Sequence, residues 1–237
     1  MRPLHELTDV DDPAWPHLAR AVEAGPAAVR LLPPEAERSR ACLYRLQVTV
    51  RSLLGAMALE TGGLLIDDGW LRVYGGGTAG FPGLADVNGL VAGPDQGPPP
   101  RLVVAHDVLG GTFALGGPGD GGDAWPGGPG EMAYFAPDSL EWEALGTGYS
   151  GWLLWLLEQD PLAEFYRDLR WPGWREETAG LGPAQGIAVY PFLWSAEAQA
   201  DLAATTRSPV PLRELTDLGR ESCAPLGLPD PGPLGAP

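Results

Sequence analysis

The sequence predicts an α+β fold, a mainly antiparallel sheet packed by helices and interrupted by Gly/Pro-rich loops. Three observations carry this. Short strand-like runs follow one another in hairpin-like succession through the middle of the chain, whereas helical signals gather at both ends, an order that favours α+β over a doubly wound sheet. Hydrophobic residues make up 44% of the 237 positions, enough for a sizeable core. Glycine (34) and proline (26) are so numerous that irregular loops must interrupt that core.

In chain order, Asp12-Pro13 is a cap and first-turn signal for a helix running to Gly25, with Leu18 and Val22 inward. Ala27 to Leu32 suits a short strand, and Pro34-Glu35 opens a second helix carrying Cys42, Leu43 and Leu46. Met57 to Glu60, Leu64 to Ile66 and Trp70 to Tyr74 are strand-like runs separated by Gly62-Gly63 and Asp68-Gly69. Leu71 and Val73 alternate with Trp70, Arg72 and Tyr74, which predicts a strand with one covered face. Gly75 to Pro100 reads as a loop with a strand near Val87 to Val91. Leu102 to His106 and Thr112 to Leu115 flank Gly110-Gly111 as a hairpin, and Gly116 to Gly130 has the composition of a loop. Glu131 to Phe135 and Leu140 to Leu145 pair around Pro137-Asp138.

Ser150 then reads as the N-cap of a helix that is apolar on all sides from Trp152 to Leu157 and is expected against the sheet. A helix from Pro161 stops before Trp171-Pro172-Gly173, and a strand at Ile187 to Tyr190, a helix from Ser195 and a short Arg213 to Leu218 element close the fold. One domain over residues 1–220 is expected, with residues 221–237 a disordered Pro/Gly-rich tail.

All 15 basic residues are arginine, and the formal net charge is −16. So negative a field repels nucleic-acid phosphates and favours solubility or a basic protein partner. The missing lysines remove the P-loop lysine, pyridoxal Schiff-base chemistry and lysine nucleophiles. Cys42 and Cys223 form neither a disulfide framework nor a metal-ligand spacing. No signal-peptide core opens the chain, and the longest apolar run is far short of the roughly 20 residues a membrane span needs. A cytoplasmic protein without membrane or nucleic-acid partner is the expectation.

The candidate motifs are weak. Gly75-Gly76-Gly77-Thr78-Ala79-Gly80 matches G-x-G-x-x-G, but Phe81-Pro82-Gly83 cannot open the helix that holds a pyrophosphate, so the glycines read as a loop. His5, His17 and His106 lie in no paired spacing, and His106-Asp107 should point to opposite faces of a strand. A calcium-repeat flavour at Gly116 to Asp120 occurs once and out of register. Gly148-Tyr149-Ser150-Gly151-Trp152 lacks the second glycine of a nucleophile elbow. Neither a catalytic residue, a metal site nor a cofactor is assigned. Asp67, Asp68, His106 and Asp107 are the set on which carboxylate chemistry or small-molecule binding would rest. The Trp/Arg-rich Arg170-Trp171-Pro172-Gly173-Trp174-Arg175, with Trp70 and Arg72, suits either core cover or an interface.

Several segments in order resemble a bacterial family catalogued as a domain of unknown function, number 2625: Glu60-Thr61-Gly62-Gly63, Ile66 to Arg72, Tyr134 to Trp142, Leu169 to Trp174 and Tyr190 to Trp194. The likeness covers most of Leu4 to Leu215 and implies no catalytic residues. More distantly, the pattern from Gly110 through Phe135 to the helix at Ser150 is similar to Smi1/Knr4-type (SUKH) domains, many of whose bacterial members neutralise toxins by binding them. That resemblance implies a SUKH-like α+β domain and a non-catalytic, immunity-like binding role. From Glu131 to Asp168 the chain carries eight acidic residues against one arginine, Arg167, which makes this the candidate face for a basic protein, with Asp138, Glu141 and Glu143 at its centre. The alternative is a carboxylate-dependent hydrolase or small-molecule binder.

Overall fold

The computed structural model describes residues 1–91, 99–118 and 125–237. Seven strands run in sequence order through one antiparallel sheet: β1 (Val29–Leu32), β2 (Gly63–Ile66), β3 (Leu71–Tyr74), β4 (Arg101–Asp107), β5 (Thr112–Gly116), β6 (Met132–Ala136) and β7 (Glu141–Ala144). The fold is therefore α+β, as the hairpin-like succession implies. Turn chemistry sets the corners. Asp67 and Asp68 both adopt left-handed backbone (φ 53° and 55°) between β2 and β3, the conformation that a tight hairpin turn demands and that aspartate tolerates. Leu140 turns β6 into β7 with φ 59°. Such a φ costs a leucine roughly 1–3 kcal/mol, which burial of its side chain, worth about 1.5–3 kcal/mol, offsets.

One face of the sheet carries Leu71, Val73, Ala105, Phe113 and Tyr134, in register across β3 to β6. Helix α6 (Tyr149–Gln159) covers it, with Trp152 packed at a tilt 5.3 Å from Phe113. Helices α2 (Trp15–Ala24) and α4 (Leu53–Glu60) pack on α6, and α7 (Leu162–Phe165) adds Phe165 against Phe113 and Tyr134. The opposite face presents Arg72, His106, Thr112 and Phe135. It is covered as well, so β3 is buried on both faces rather than one. The cover is α10 (Leu212–Cys223), whose buried Leu212, Thr216, Gly219 and Cys223 form one helical stripe, together with the chain's C-terminal residues. A second, two-stranded sheet pairs β8 (Gln185–Tyr190) with β9 (Thr206–Pro211) and joins the body through Ile187 N–H donating to Val108 O at 2.7 Å.

Several elements differ from the sequence reading. Met57 to Glu60 belongs to α4, not a strand; its residues Leu53 to Ala58 are buried all round, and Ser52 caps it by accepting from Gly55 N. The segment around Val87 opens in helix α5 (Leu84–Val87) rather than a strand. Ser150 does not cap α6: Gly148 holds that position, and Ser150 is exposed in the first turn. Helix α8 (Trp174–Ala179) and β9 were not anticipated, the latter because Pro209 and Pro211 lie in it, which only an edge strand tolerates. Part of the Gly116 to Gly130 reading, with Asp120 of the calcium-like run, lies outside the described residues. The remaining helices are α1 (Leu4–Thr8), α3 (Ala36–Leu46) and α9 (Ala196–Ala200).

The C-terminal residues, expected to be disordered, are docked. Pro231 and Leu234 are buried, Leu234 O accepts from His106 Nε2 at 2.7 Å, and Ala236 N–H donates to Val87 O at 2.9 Å.

Candidate functional site

The glycine run settles first. A Cβ on Gly76 would lie 2.4 Å from Ser39 Oγ and 2.5 Å from Ala58 O, so the run exists to let α3 and α4 cross the strand end. The helix that follows, α5, starts only after Gly83. This is a packing loop, as its context implies.

The twelve candidate residues fall into three environments. At the β2–β3 turn, Asp67 lies 2.6 Å from both Arg170 Nη2 and Arg175 Nη1, and Asp68 lies 3.0 Å from Arg175 Nη1. The Arg170 guanidinium lies against two aromatic rings that meet edge-on, its carbon 4.8 Å from the Trp70 centroid and 4.0 Å from that of Trp174. Trp70 in turn packs edge-on against Trp174 and Tyr166 and at a tilt to Trp171. Burial draws the Arg170 pKa down against the opposing pull of Asp67, whereas hydrogen bonding to Asp67 holds that of Arg175 up. The arrangement fastens the loop before α8 onto the sheet. Asp67, Asp68, Trp70, Arg170, Trp171 and Trp174 are thus brought together, with Arg175 of the same Trp/Arg-rich run; the partner that sequence reasoning missed is Tyr166.

The second environment is the sheet interior, where His106 and Asp107 point to opposite faces as alternation requires. Asp107 Oδ1 accepts from the N–H groups of Leu109 and Gly111 at 2.8 and 2.9 Å. Its Oδ2 accepts from the hydroxyls of Tyr134 at 2.7 Å and Tyr166 at 3.2 Å. Burial raises the Asp107 pKa despite these four donors, and raises those of both tyrosines. On the other face the Tyr74 hydroxyl and His106 Nδ1 are 2.7 Å apart, while His106 Nε2 faces Leu234 O. A carbonyl only accepts, so Nε2 carries the proton and Nδ1 accepts from Tyr74. Burial drops the His106 pKa to about 4, with neighbouring Arg72 pushing the same way. Arg72 is itself buried, its pKa lowered to about 10 chiefly by desolvation, and its Nη1 has no hydrogen-bond partner among the described residues.

The third environment is the surface at β6–β7. Asp138 in the turn and Glu141 and Glu143 on edge strand β7 are the exposed or half-exposed acids here, and none of them forms an ion pair among the described residues. The Asp138 pKa is raised by burial and by Asp168; that of Glu143 by burial, then by Asp138 and Glu141. The Asp138 turn abuts α9, where Gln199 Nε2 donates to Asp138 O at 3.3 Å. Pro137 and Leu140 share a cleft with Phe192 and Trp194. Beside it Tyr190 and Phe192 are exposed, with Phe192 stacked 4.7 Å from Trp194. Not all of the acidic segment lies on this face, since Glu158 approaches His17 and Glu164 pairs with Arg167.

Among the described residues, no three His, Cys, Asp or Glu side chains are grouped as metal ligands would be, and no helix is long and apolar enough to cross a membrane.

A family model described as a protein of unknown function, DUF2625, matches residues 4–215, most of the chain. The chain belongs to the DUF2625 family. This DUF2625 chain is 37% identical over 218 residues to the uncharacterized protein YbfG of Escherichia coli K12, covering 92% of the chain and 95% of that protein. It is 32% identical over 195 residues to an uncharacterized protein of Haemophilus influenzae, covering 81% of the chain and 83% of that protein. No solved structure matches it. All twelve candidate positions of the DUF2625 chain lie inside the matched region, whereas most of α10 and the docked C-terminal residues lie beyond it.

Proposed function

We propose that this protein is a non-catalytic protein-binding module whose β6–β7 surface engages a basic partner. One observation carries the reading: Asp138, Glu141 and Glu143 stand together with no ion-pair partner among the described residues, beside exposed Tyr190 and Phe192. Uncompensated like charges destabilise the folded chain, so a cationic partner has something to neutralise, and the aromatic rings supply anchors of the kind that dominate interface energetics. Neutralisation of a basic toxin, the role the SUKH resemblance implies, is one such engagement. The hydrolase alternative draws no support from Asp67, Asp68, His106 and Asp107. They occupy separate environments, and the latter two are fully buried on opposite faces of β4.

The test is capture from native cell extract by the wild-type chain and by the double variant Glu141→Lys/Glu143→Lys. A partner held by the wild type should be lost from the variant and from the wild type at high salt, and its association rate should fall about tenfold or more on charge reversal. Recovery of the same proteins by both chains at all salt concentrations would remove this face from consideration.

A further inference from the structure

The docked C-terminal residues lie in a groove built by the rest of the chain. Pro231 O accepts from Trp142 Nε1 at 3.0 Å and from Arg101 Nη1, Leu234 O accepts from His106 Nε2 at 2.7 Å, and Ala236 N–H donates to Val87 O at 2.9 Å. Three side chains thus read main-chain carbonyls, and one carbonyl reads a main-chain amide. Pro231 and Leu234 are both buried, and each is followed by a glycine of positive φ, Gly232 at 76° and Gly235 at 85°, a backbone that glycine adopts without strain. At the Pro231 end, Trp125 and Trp142 meet edge-to-face at 5.1 Å, with the Arg101 guanidinium over both rings; Pro229 and Pro231 line the same aromatic cleft. At the Leu234 end a cleft of about 550 Å³ stays open beside the segment, walled by Val87, Asn88, Val103, Thr216 and Arg220.

The three side chains that donate to the segment's carbonyls, Arg101, His106 and Trp142, lie in the part of the chain matched by the family, whereas the segment itself lies outside it, as does Arg220, which pairs with Asp230. With the segment gone, the His106 and Trp142 N–H groups lose their acceptors. A site so lined calls for a ligand that presents carbonyls between a proline and an aliphatic side chain.

We propose that this groove is a recognition site for Pro/Gly-rich segments of the pattern Pro-Gly-X-Leu-Gly in another protein, and that residues 229–237 occupy it in cis as an internal stand-in. The site uses a different surface from the acidic face and does not depend on it. Release of the tail frees the groove, and while the tail is bound its high effective concentration excludes competitors.

Two measurements on the full-length chain decide the matter. In the wild type, hydrogen exchange at the Ala236 amide should run at least a hundredfold faster than at the buried positions of α10, because the tail opens without global unfolding. In Leu234→Asp, which removes the buried anchor, a synthetic peptide of residues 229–237 added in trans should bind one to one, shift tryptophan emission, and bind at least tenfold more tightly than to the wild type. Adding Trp142→Phe should weaken that binding several-fold by removing the indole N–H that donates to the Pro231 carbonyl. The proposal is overturned if Ala236 exchanges only with global unfolding, if Leu234→Asp fails to fold, or if the folded variant binds the peptide no better than the wild type.

Discussion

The carboxylate of Asp67 lies 2.6 Å from Nη2 of Arg170, and both side chains are almost wholly withdrawn from water. Arg175 shares the same carboxylate, so Asp67 is the node through which two cations are fastened to a sheet turn. Removing one member of a buried pair leaves the other's charge uncompensated, at roughly 3–5 kcal/mol. Asp67→Ala is expected to approach that figure in urea unfolding. Arg170→Lys should also destabilise, since an ammonium keeps the charge but loses the guanidinium's contact with the Trp70 and Trp174 rings. A lysine variant as stable as the wild type would show that the ring contacts contribute nothing.

Asp107 permits a sharper comparison. Its Oδ1 receives two rigid main-chain N–H groups, whereas its Oδ2 receives two hydroxyls, which can rotate. In Asp107→Asn the amide oxygen can serve Leu109 and Gly111 while its NH2 donates to Tyr134 or Tyr166, so the expected loss is about 1 kcal/mol. Asp107→Leu leaves the two buried N–H groups without an acceptor, at about 1–3 kcal/mol each. Chemical denaturation of the pair distinguishes a hydrogen-bond hub from a position that merely needs volume.

Much of the sheet is legible in the sequence because its turns announce themselves: Asp67-Asp68-Gly69, Gly110-Gly111 and Pro137-Asp138 sit where the chain reverses. Helix α4 is not, because a helix buried on every side has no apolar periodicity to reveal it. The candidate site is legible in parts only. The Trp/Arg loop is conspicuous by composition, yet nothing local states that Asp67 is its partner. The tail misleads most: Pro and Gly signal disorder, and the acceptor sites that fix it face donors 89 and 128 residues away, at Trp142 and His106.

His106 makes acid stability a test of its burial. Its folded pKa of about 4 lies below the ordinary value of 6.5, so between these the unfolded chain binds the extra proton. The stability associated with a neutral His106 is present above pH 6.5 and declines as pH falls towards 4, below which its contribution is level. Asp107, with a raised pKa, opposes this trend, as does relief of the negative net charge. The comparison must therefore be a difference. His106→Gln keeps a donor for Leu234 O without titrating, and urea midpoints measured from pH 7 to pH 4 should fall less steeply in the variant than in the wild type. Parallel profiles would mean that His106 takes up its proton in the folded chain as readily as in the unfolded one.

Glu143 tests whether the acidic face is maintained at the expense of stability. Its carboxyl is pushed up by burial and by the charges of Asp138 and Glu141, and Tyr134 is its directly opposed neighbour across the strand pair, which offers no cation. A group whose folded pKa is raised favours the folded state at lower pH and opposes it once ionised. Glu143→Gln should therefore stabilise the chain at pH 7 by a few tenths of a kcal/mol, the size of a like-charge contact on a strand surface. The gain should shrink towards pH 4 as the wild-type carboxyl protonates. Thermal unfolding at the two pH values reads this directly. A stabilised variant that also loses its captured partner is the signature of a surface kept charged for binding, whereas a destabilised one would mean that Glu143 already has a favourable role within the folded chain.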